Sequence, residues 1–254
     1  MKRFIVIMIV VVFIAGCSNC NLFRAKPKKS IPVQTVSKEP LKIKRCELKP
    51  FRSVVVGGNA EVELIHGLYG AKMAINSCQN AVFGHTLYIG SGKAKVFAPK
   101  LENIIVTDHA LVRSKKMKSD GLNVTAKGWG SINLEGRYRI NKVTQLGRGR
   151  IDISWIDNND LRVEGYAGGP IFLSGRVEKM IVKLMNDARL YARYLRVREG
   201  SVFTTDKALA EVLVLDNLGA YAIDASNIYY YKRPENITVV TRDSGNVLYP
   251  ERIR

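Results

Sequence analysis

The chain has 254 residues, with 40 Lys and Arg against 22 Asp and Glu and a formal net charge of +18. That excess favours anionic partners and opposes compaction through self-repulsion, while saying nothing about fold. Cys20, Cys46 and Cys78 stand in no CxxC or Cys/His spacing with one another that suits zinc, and there is no G-x-S-x-G, H-E-x-x-H or phosphate-binding Gly loop.

Lys2 and Arg3 precede an apolar run from Phe4 to Ile14, and Ala15 and Gly16 then lead into Cys17. This is the layout of a secretory signal peptide over residues 1–16. The run has eleven residues, whereas a helix needs about 20 to cross the hydrocarbon core, so it is too short for a comfortable permanent span. The tetrad Ile14-Ala15-Gly16-Cys17 resembles the bacterial lipobox, which implies acylation of the Cys17 thiol and a palmitate-bearing membrane anchor. Several acyl chains on one residue make such an anchor effectively permanent. By similarity to the enterobacterial sorting rule, Ser18 after the cysteine favours the outer membrane over the inner. Removal of residues 1–16 takes away only Lys2 and Arg3, leaving 38 basic and 22 acidic side chains and an excess of +16.

Residues 17–44 are rich in Lys and Pro and lack apolar periodicity, which predicts an extended, self-repelling tether. In an oxidising compartment Cys46 and Cys78, which flank the first strands of the body, are expected to pair, with Cys20 left free or cross-linking chains.

The body, residues 45–254, reads as all-β. Ser53–Val56, Glu61–Ile65, Lys72–Ile75, Leu87–Ile89 and Ile104–Val106 are short alternating runs that predict strands, and no long helix is visible. Downstream a frame recurs: a lead residue, a small residue four later, another two later, then two apolar residues at alternate positions. Val124, Gly128, Gly130, Ile132 and Leu134 define it. Val143, Gly147, Gly149, Ile151 and Ile153 repeat it, as do Val163, Ala167, Gly169, Ile171 and Leu173. Weaker copies run through Val182, Asn186, Ala188, Leu190 and Ala192, and through Thr204, Ala208, Ala210, Val212 and Val214, with Val106 ahead of the first.

A period near 20 residues predicts a β-helix, a solenoid of stacked units with two or three short strands each. A β-sandwich is the rival, but it has no reason to repeat one frame at that interval. Val124, Ile132 and Leu134 should point inward, and Asn123, Thr125, Ser131 and Asn133 outward. Gly, with Asn or Ala as partial substitutes, should turn the corners.

The frame, with Ala210–Val214, Leu218–Ala222 and Ala225–Pro234, resembles the head GIN domain over about Leu48–Pro250. The resemblance implies a β-helical fold and a secreted or lipid-anchored protein of the Gram-negative envelope, of the kind described as autotransporter adhesin heads. It carries no catalytic residues across. The sequence departs from the family pattern at Tyr231-Lys232-Arg233-Pro234, where Gly would follow the terminal Tyr.

The densest basic and aromatic stretch comprises Arg189, Tyr191, Arg193, Tyr194, Arg196 and Arg198, followed by Arg137, Tyr138, Arg139, Arg148 and Arg150. Arg and Tyr in alternation stack on sugars and pair with phosphate or carboxylate, so Arg189, Tyr191, Arg193, Arg196 and Arg198 form the candidate anionic-ligand face. His66, His85 and His109 read as surface or turn residues rather than metal ligands. Asp152, Asp157 and Asp160 around Asn158-Asn159 read as turn chemistry. Trp129 is expected to be exposed at a turn, Trp155 is the other conspicuous indole, and Tyr229, Tyr230 and Tyr231 cannot all be buried.

The expectation is a non-enzymatic, lipid-anchored envelope binding module without cofactor or metal. Its partners would be the membrane through the lipid, and an anionic glycan, a lipid headgroup or an envelope protein, without specific nucleic-acid recognition. The alternative is a structural or assembly component of the envelope, and more remotely an acidic-polysaccharide lyase in which at least two of Asp152, Asp157 and Asp160 converge with a basic residue in a groove.

Overall fold

A computed structural model describes residues 44–73 and 82–250. Cys17, Cys20, Cys78 and the tether up to residue 43 lie outside the described residues, and so does the expected Cys46–Cys78 pairing. Seventeen strands and no helix are found among the described residues, in one sheet wound into a solenoid of about seven turns with a ~20-residue repeat.

In chain order the strands are β1 (Lys44–Cys46), β2 (Ser53–Val56), β3 (Glu61–His66), β4 (Gly70–Met73), β5 (Val82–Phe83), β6 (Thr86–Ile89), β7 (Lys93–Ala98), β8 (Asn103–Val106), β9 (Leu111–Ala126), β10 (Ser131–Gln145), β11 (Ile151–Gly165), β12 (Pro170–Leu184), β13 (Arg189–Thr204), β14 (Leu209–Ala222), β15 (Asn227–Tyr230), β16 (Asn236–Thr241) and β17 (Asn246–Leu248).

From β9 to β14 each strand pairs in parallel with the next. The expected two or three strands per unit are instead one continuous strand of 14 to 16 residues, bent at register shifts. In β10 these fall after Glu135 and around Ile140, dividing the strand into a first, a middle and a last limb. A corner of four or five residues then leads to the next coil. Bending a strand while keeping its ladder needs local backbone freedom. Gly175, at φ 131, has no room for a Cβ against the Ile156 backbone, and Trp155 takes φ 67 at the equivalent bend of β11.

The first coils are arranged out of sequence order. β2 pairs with both β6 and β8, and β3 with both β7 and β9, so the second coil in the chain lies outside the first. β5 and β4 then run antiparallel along β6 and β7, and β1 along β4. These early coils carry only a last limb, a corner and a first limb.

The interior is a set of apolar columns one coil apart. Ile104, Val124, Val143, Val163, Val182, Val202 and Ala220 stack in register and are fully buried or nearly so. The expected inward and outward residues around Val124 and Ile132 fall as read: Val124, Ile132 and Leu134 are buried, while Asn123, Thr125, Ser131 and Asn133 are not. Burial at about 25 cal/mol per Å² of apolar surface is what holds coils too thin to fold singly.

Two lead positions were misplaced by the sequence frame. Thr204 stacks on Leu184 and Val106 on Ala126; the true members of the lead column are Val202 and Ile104. Each slip is two residues, which preserves the inward face and therefore leaves the alternation pattern unchanged. With the leads corrected, the corner position four residues on reads Asp108, Gly128, Gly147, Ala167, Asn186, Asp206 and Asp224. Asp108, Gly128, Asn186, Asp206 and Asp224 all have φ between 54 and 61.

Asp is thus the main corner residue that the sequence frame overlooked, and it brings a second benefit. Its carboxylate accepts from the backbone of the neighbouring coil: Asn186 N donates to Asp206 Oδ2 at 3.0 Å, and Asp206 N to Asp224 Oδ2 at 3.1 Å. The Thr205 hydroxyl and that Asp206 amide hold the Asp224 carboxyl below its ordinary pKa. Two residues further on lies a column of small buried residues, Ala110, Gly130, Gly149, Gly169, Ala188, Ala208 and Ser226. A Cβ on Gly149 would strike the Trp129 and Gly130 backbone, which explains why that column cannot carry bulk.

Candidate functional site

The outward column of the first limbs runs Glu63 or Lys95, Arg113, Asn133, Asp152, Phe172, Tyr191, Glu211 and Tyr229. Residues two apart on a strand share a face, so this column and its neighbour, which includes Ser154, Ser174 and Arg193, form one surface. Between β11 and β14 that surface is concave. A groove of about 400 Å³ is lined by Asp152, Ser154, Phe172, Ser174, Tyr191, Arg193, Tyr194 and Glu211, with Leu173 at its floor.

The rings are ordered by contact. Phe172 and Tyr191 stack at 4.8 Å with planes 15° apart, and the Arg150 guanidinium lies 3.8 Å from the Phe172 centroid. Asp152 fixes Arg150 there through a 2.6 Å ion pair. The stacked Phe172 and Tyr191 both line the groove. Tyr194 differs: it is 68% exposed, with Arg193 over its ring at 4.9 Å. Arg193 is in no ion pair with a carboxylate among the described residues, and its charge and that of Glu211 act in opposite senses on the Tyr231 hydroxyl. Burial and the Glu211 charge raise the Tyr231 pKa, so Tyr231 is a neutral hydroxyl in the neutral range.

The five residues expected on one anionic-ligand face are distributed over two. Arg189, Tyr191 and Arg193 lie on the first limb of β13, and Arg196 and Arg198 on its middle limb. Arg198 is engaged by Asp216 at 2.8 Å and Glu178 at 3.6 Å, which raises its pKa. Arg196 stacks in register on Arg176, itself paired with Asp157 at 3.1 Å. Only Tyr191 and Arg193 of the five line the groove. Phe172, Ser154, Ser174 and Glu211 join them from other coils, and no local pattern announced them, because neighbours one coil apart are about 20 residues apart in sequence.

Several other expectations meet the structure here. Tyr138 is no surface residue: it is buried between Arg137 and Arg139 and its hydroxyl donates to Ser114 Oγ at 2.8 Å, with burial pushing its pKa up to about 12. The Asn158-Asn159 segment is not a turn but part of β11, where the Asn158 side-chain amide donates to the Ile140 carbonyl at 2.7 Å. Asp152 and Asp157 lie on different limbs, each paired with its own Arg, and do not converge with Asp160. Trp129 is exposed at its corner, stacked on His109 at 6.4 Å with Arg148 on its ring at 5.8 Å, and Trp155 is also exposed. His66, His85 and His109 are exposed on separate elements, and no group of metal-holding side chains occurs among the described residues. Tyr229, Tyr230 and Tyr231 are each half-buried.

The family model described as "Putative auto-transporter adhesin, head GIN domain" matches residues 50–234. The chain belongs to the head GIN domain family. Membership in this adhesin-like family points to a protein of the cell envelope or surface. No curated protein matches the sequence significantly.

Solved structures share the fold. A "putative lipid binding protein" from Parabacteroides distasonis aligns with a TM-score of 0.71 at 17% identity, over 82% of this chain and 96% of that one. A "putative adhesin" from Parabacteroides merdae gives 0.69 at 16% identity, over 81% and 95%. Another from Bacteroides fragilis gives 0.59 at 15%, over 81% and 94%. At such identities the likeness is one of fold, and the ligand has to be argued from the side chains of this chain.

Proposed function

We propose that this head GIN protein is a non-enzymatic, adhesin-like binding module, anchored through a lipid on Cys17 to the outer membrane, that holds an acidic glycan in the groove between β11 and β14. The observation that carries the reading is the exposed Tyr194 ring beside Arg193, next to the stacked Phe172 and Tyr191. A pyranose lies on an aromatic surface through its C–H face while its hydroxyls reach Ser154, Ser174, Asp152 and Glu211. A carboxylate or sulfate on the sugar pairs with Arg193 through a planar fork of donors. The basic balance of the whole chain steers such ligands toward the surface.

The test is binding of the chain across an array of bacterial and host glycans at low and at physiological salt. Reproducible capture of a defined acidic glycan at physiological salt supports recognition. Capture of every polyanion alike, lost as the Debye length shortens to about 8 Å, means charge without a site.

A second reading, an assembly component of the envelope, draws support from β16. Its side chains are all exposed, Ile237 by 41% and Val239 by 47%, and among the described residues it pairs only with β14. An unpaired edge with apolar side chains is a template for another strand. Co-purification of one envelope protein from membranes, lost on Val239→Lys, would favour it.

A further inference from the structure

A second concavity lies where the middle limbs begin. β3 pairs with β9 only over Glu61–Leu64, and the early coils have no middle limb. The middle face therefore starts at β9 with a step, overhung by the Pro99–Lys100 crossing. A groove of about 350 Å³ occupies this step, between Lys100 on the overhang and Lys118 and Arg137 on the wall, with His66 at its edge.

The charges at the step are not balanced. Lys118 and Arg137 are register partners on adjacent coils, and neither they nor Lys100 are in an ion pair among the described residues. The two acids that also line the groove are already committed. Asp120 is paired with Arg139 at 3.7 Å, and Asp157 with Arg176 at 3.1 Å. Elsewhere on this face carboxylates answer several of the cations from coil to coil, as in Glu178–Arg198–Asp216 and Lys179–Glu199, while Arg196 lies in register with Arg176. The wall itself is rigid, because Tyr138 and Ser119, which flank the cations in sequence, are buried and hydrogen-bonded to Ser114 and to the Leu101 carbonyl.

We infer that this step is a binding site for a phosphate group, separate from the glycan groove. Three cations around one concavity match an anion carrying up to two charges and three acceptor oxygens, with Arg137 able to hold two of them at once. A free or sugar-borne phosphate and a phospholipid headgroup share this chemistry.

The sources are separated by titrating the full chain in non-ionic detergent with inorganic phosphate and with short-chain dihexanoyl phosphatidic acid below its micelle concentration, followed by calorimetry. Saturable binding of both, weakened at least tenfold in Lys118→Gln/Arg137→Gln and by a smaller factor in Lys100→Gln, establishes the site. Binding of the lipid alone with the same losses assigns it to a headgroup, and binding of phosphate alone assigns it to a soluble ligand. Lys183→Gln, on the last limb of β12, should change nothing. Lys100 lies outside the strands, so its variant keeps the test informative if the double variant misfolds. No saturation by either probe, or equal weakening by Lys183→Gln, overturns the inference.

Discussion

The outward column of the first limbs runs nearly the whole length of the solenoid, and its two ends are built differently. In the early coils Lys93 reaches Glu61 at 2.9 Å and Lys95 reaches Glu63 at 3.0 Å, so the charges there satisfy one another across adjacent strands. At the same column between β11 and β14 stand Asp152, Phe172, Tyr191 and Glu211, and Tyr194 and Arg193 lie beside them. A parallel ladder repeats its backbone without dictating what its outer face carries. Similar rungs therefore frame a concavity of about 690 Å³ walled by mutually paired charges at one end and a groove lined by aromatic rings at the other, and the difference lies in side chains that point away from the core.

The largest test of this division is at the corners, where coil packing rather than ligand chemistry decides. Gly149→Val puts a side chain into the Trp129 and Gly130 backbone, and should cost more than about 3 kcal/mol or prevent folding, as read by thermal denaturation. Gly90→Ala, at an early corner with open space around its Cβ, should leave the melting temperature unchanged.

A smaller effect is expected inside the central coils. Tyr138→Phe leaves the buried Ser114 hydroxyl without its donor and should destabilise by about 1–3 kcal/mol. The wild-type chain should also show an alkaline signature. With the folded pKa raised to about 12 by burial, the Tyr138 contribution is fully present below about pH 10, the unfolded value. It is then lost as pH rises through 12. Denaturant titrations between pH 9 and 12 on wild type and Tyr138→Phe read the difference.

The fold was largely legible because a solenoid writes its period into the sequence. The small-residue column at Gly130, Gly149 and Gly169 and the apolar columns beside it recur at coil spacing. What escaped has a physical reason in each case. A two-residue slip at Thr204 and Val106 is invisible to a pattern of period two. Asp206 and Asp224 serve as corners because a carboxylate that bonds the next coil tolerates a positive φ, a role first sought in glycine. The insertion of β2 between β6 and β8 is a matter of chain order, on which periodicity is silent. The groove was half legible. Tyr191 and Arg193 share a strand and drew notice, while Phe172 and Glu211 reach them only through the coil spacing, and Arg196 and Arg198 turned onto another limb at the bend of β13.

Smaller again is the effect on binding of single groove side chains. Arg193→Gln should weaken an acidic glycan about tenfold while leaving stability unchanged, since that cation has no carboxylate partner among the described residues. The smallest effect belongs to the early coils. Lys93→Gln, at an exposed pair, should move neither the melting temperature nor glycan affinity. A measurable fall in affinity there would erase the distinction between the two ends.

The most direct measurement is a matched titration of the acidic glycan that the array identifies against wild type, Tyr191→Ala/Tyr194→Ala and Lys93→Gln/Lys95→Gln, at physiological salt and with melting temperatures recorded alongside. Loss of binding in the tyrosine variant, with wild-type affinity in the lysine variant and all three folded, is the result this account predicts. Equal affinity in the tyrosine variant, or equal loss in both variants, would contradict a glycan site in the groove between β11 and β14.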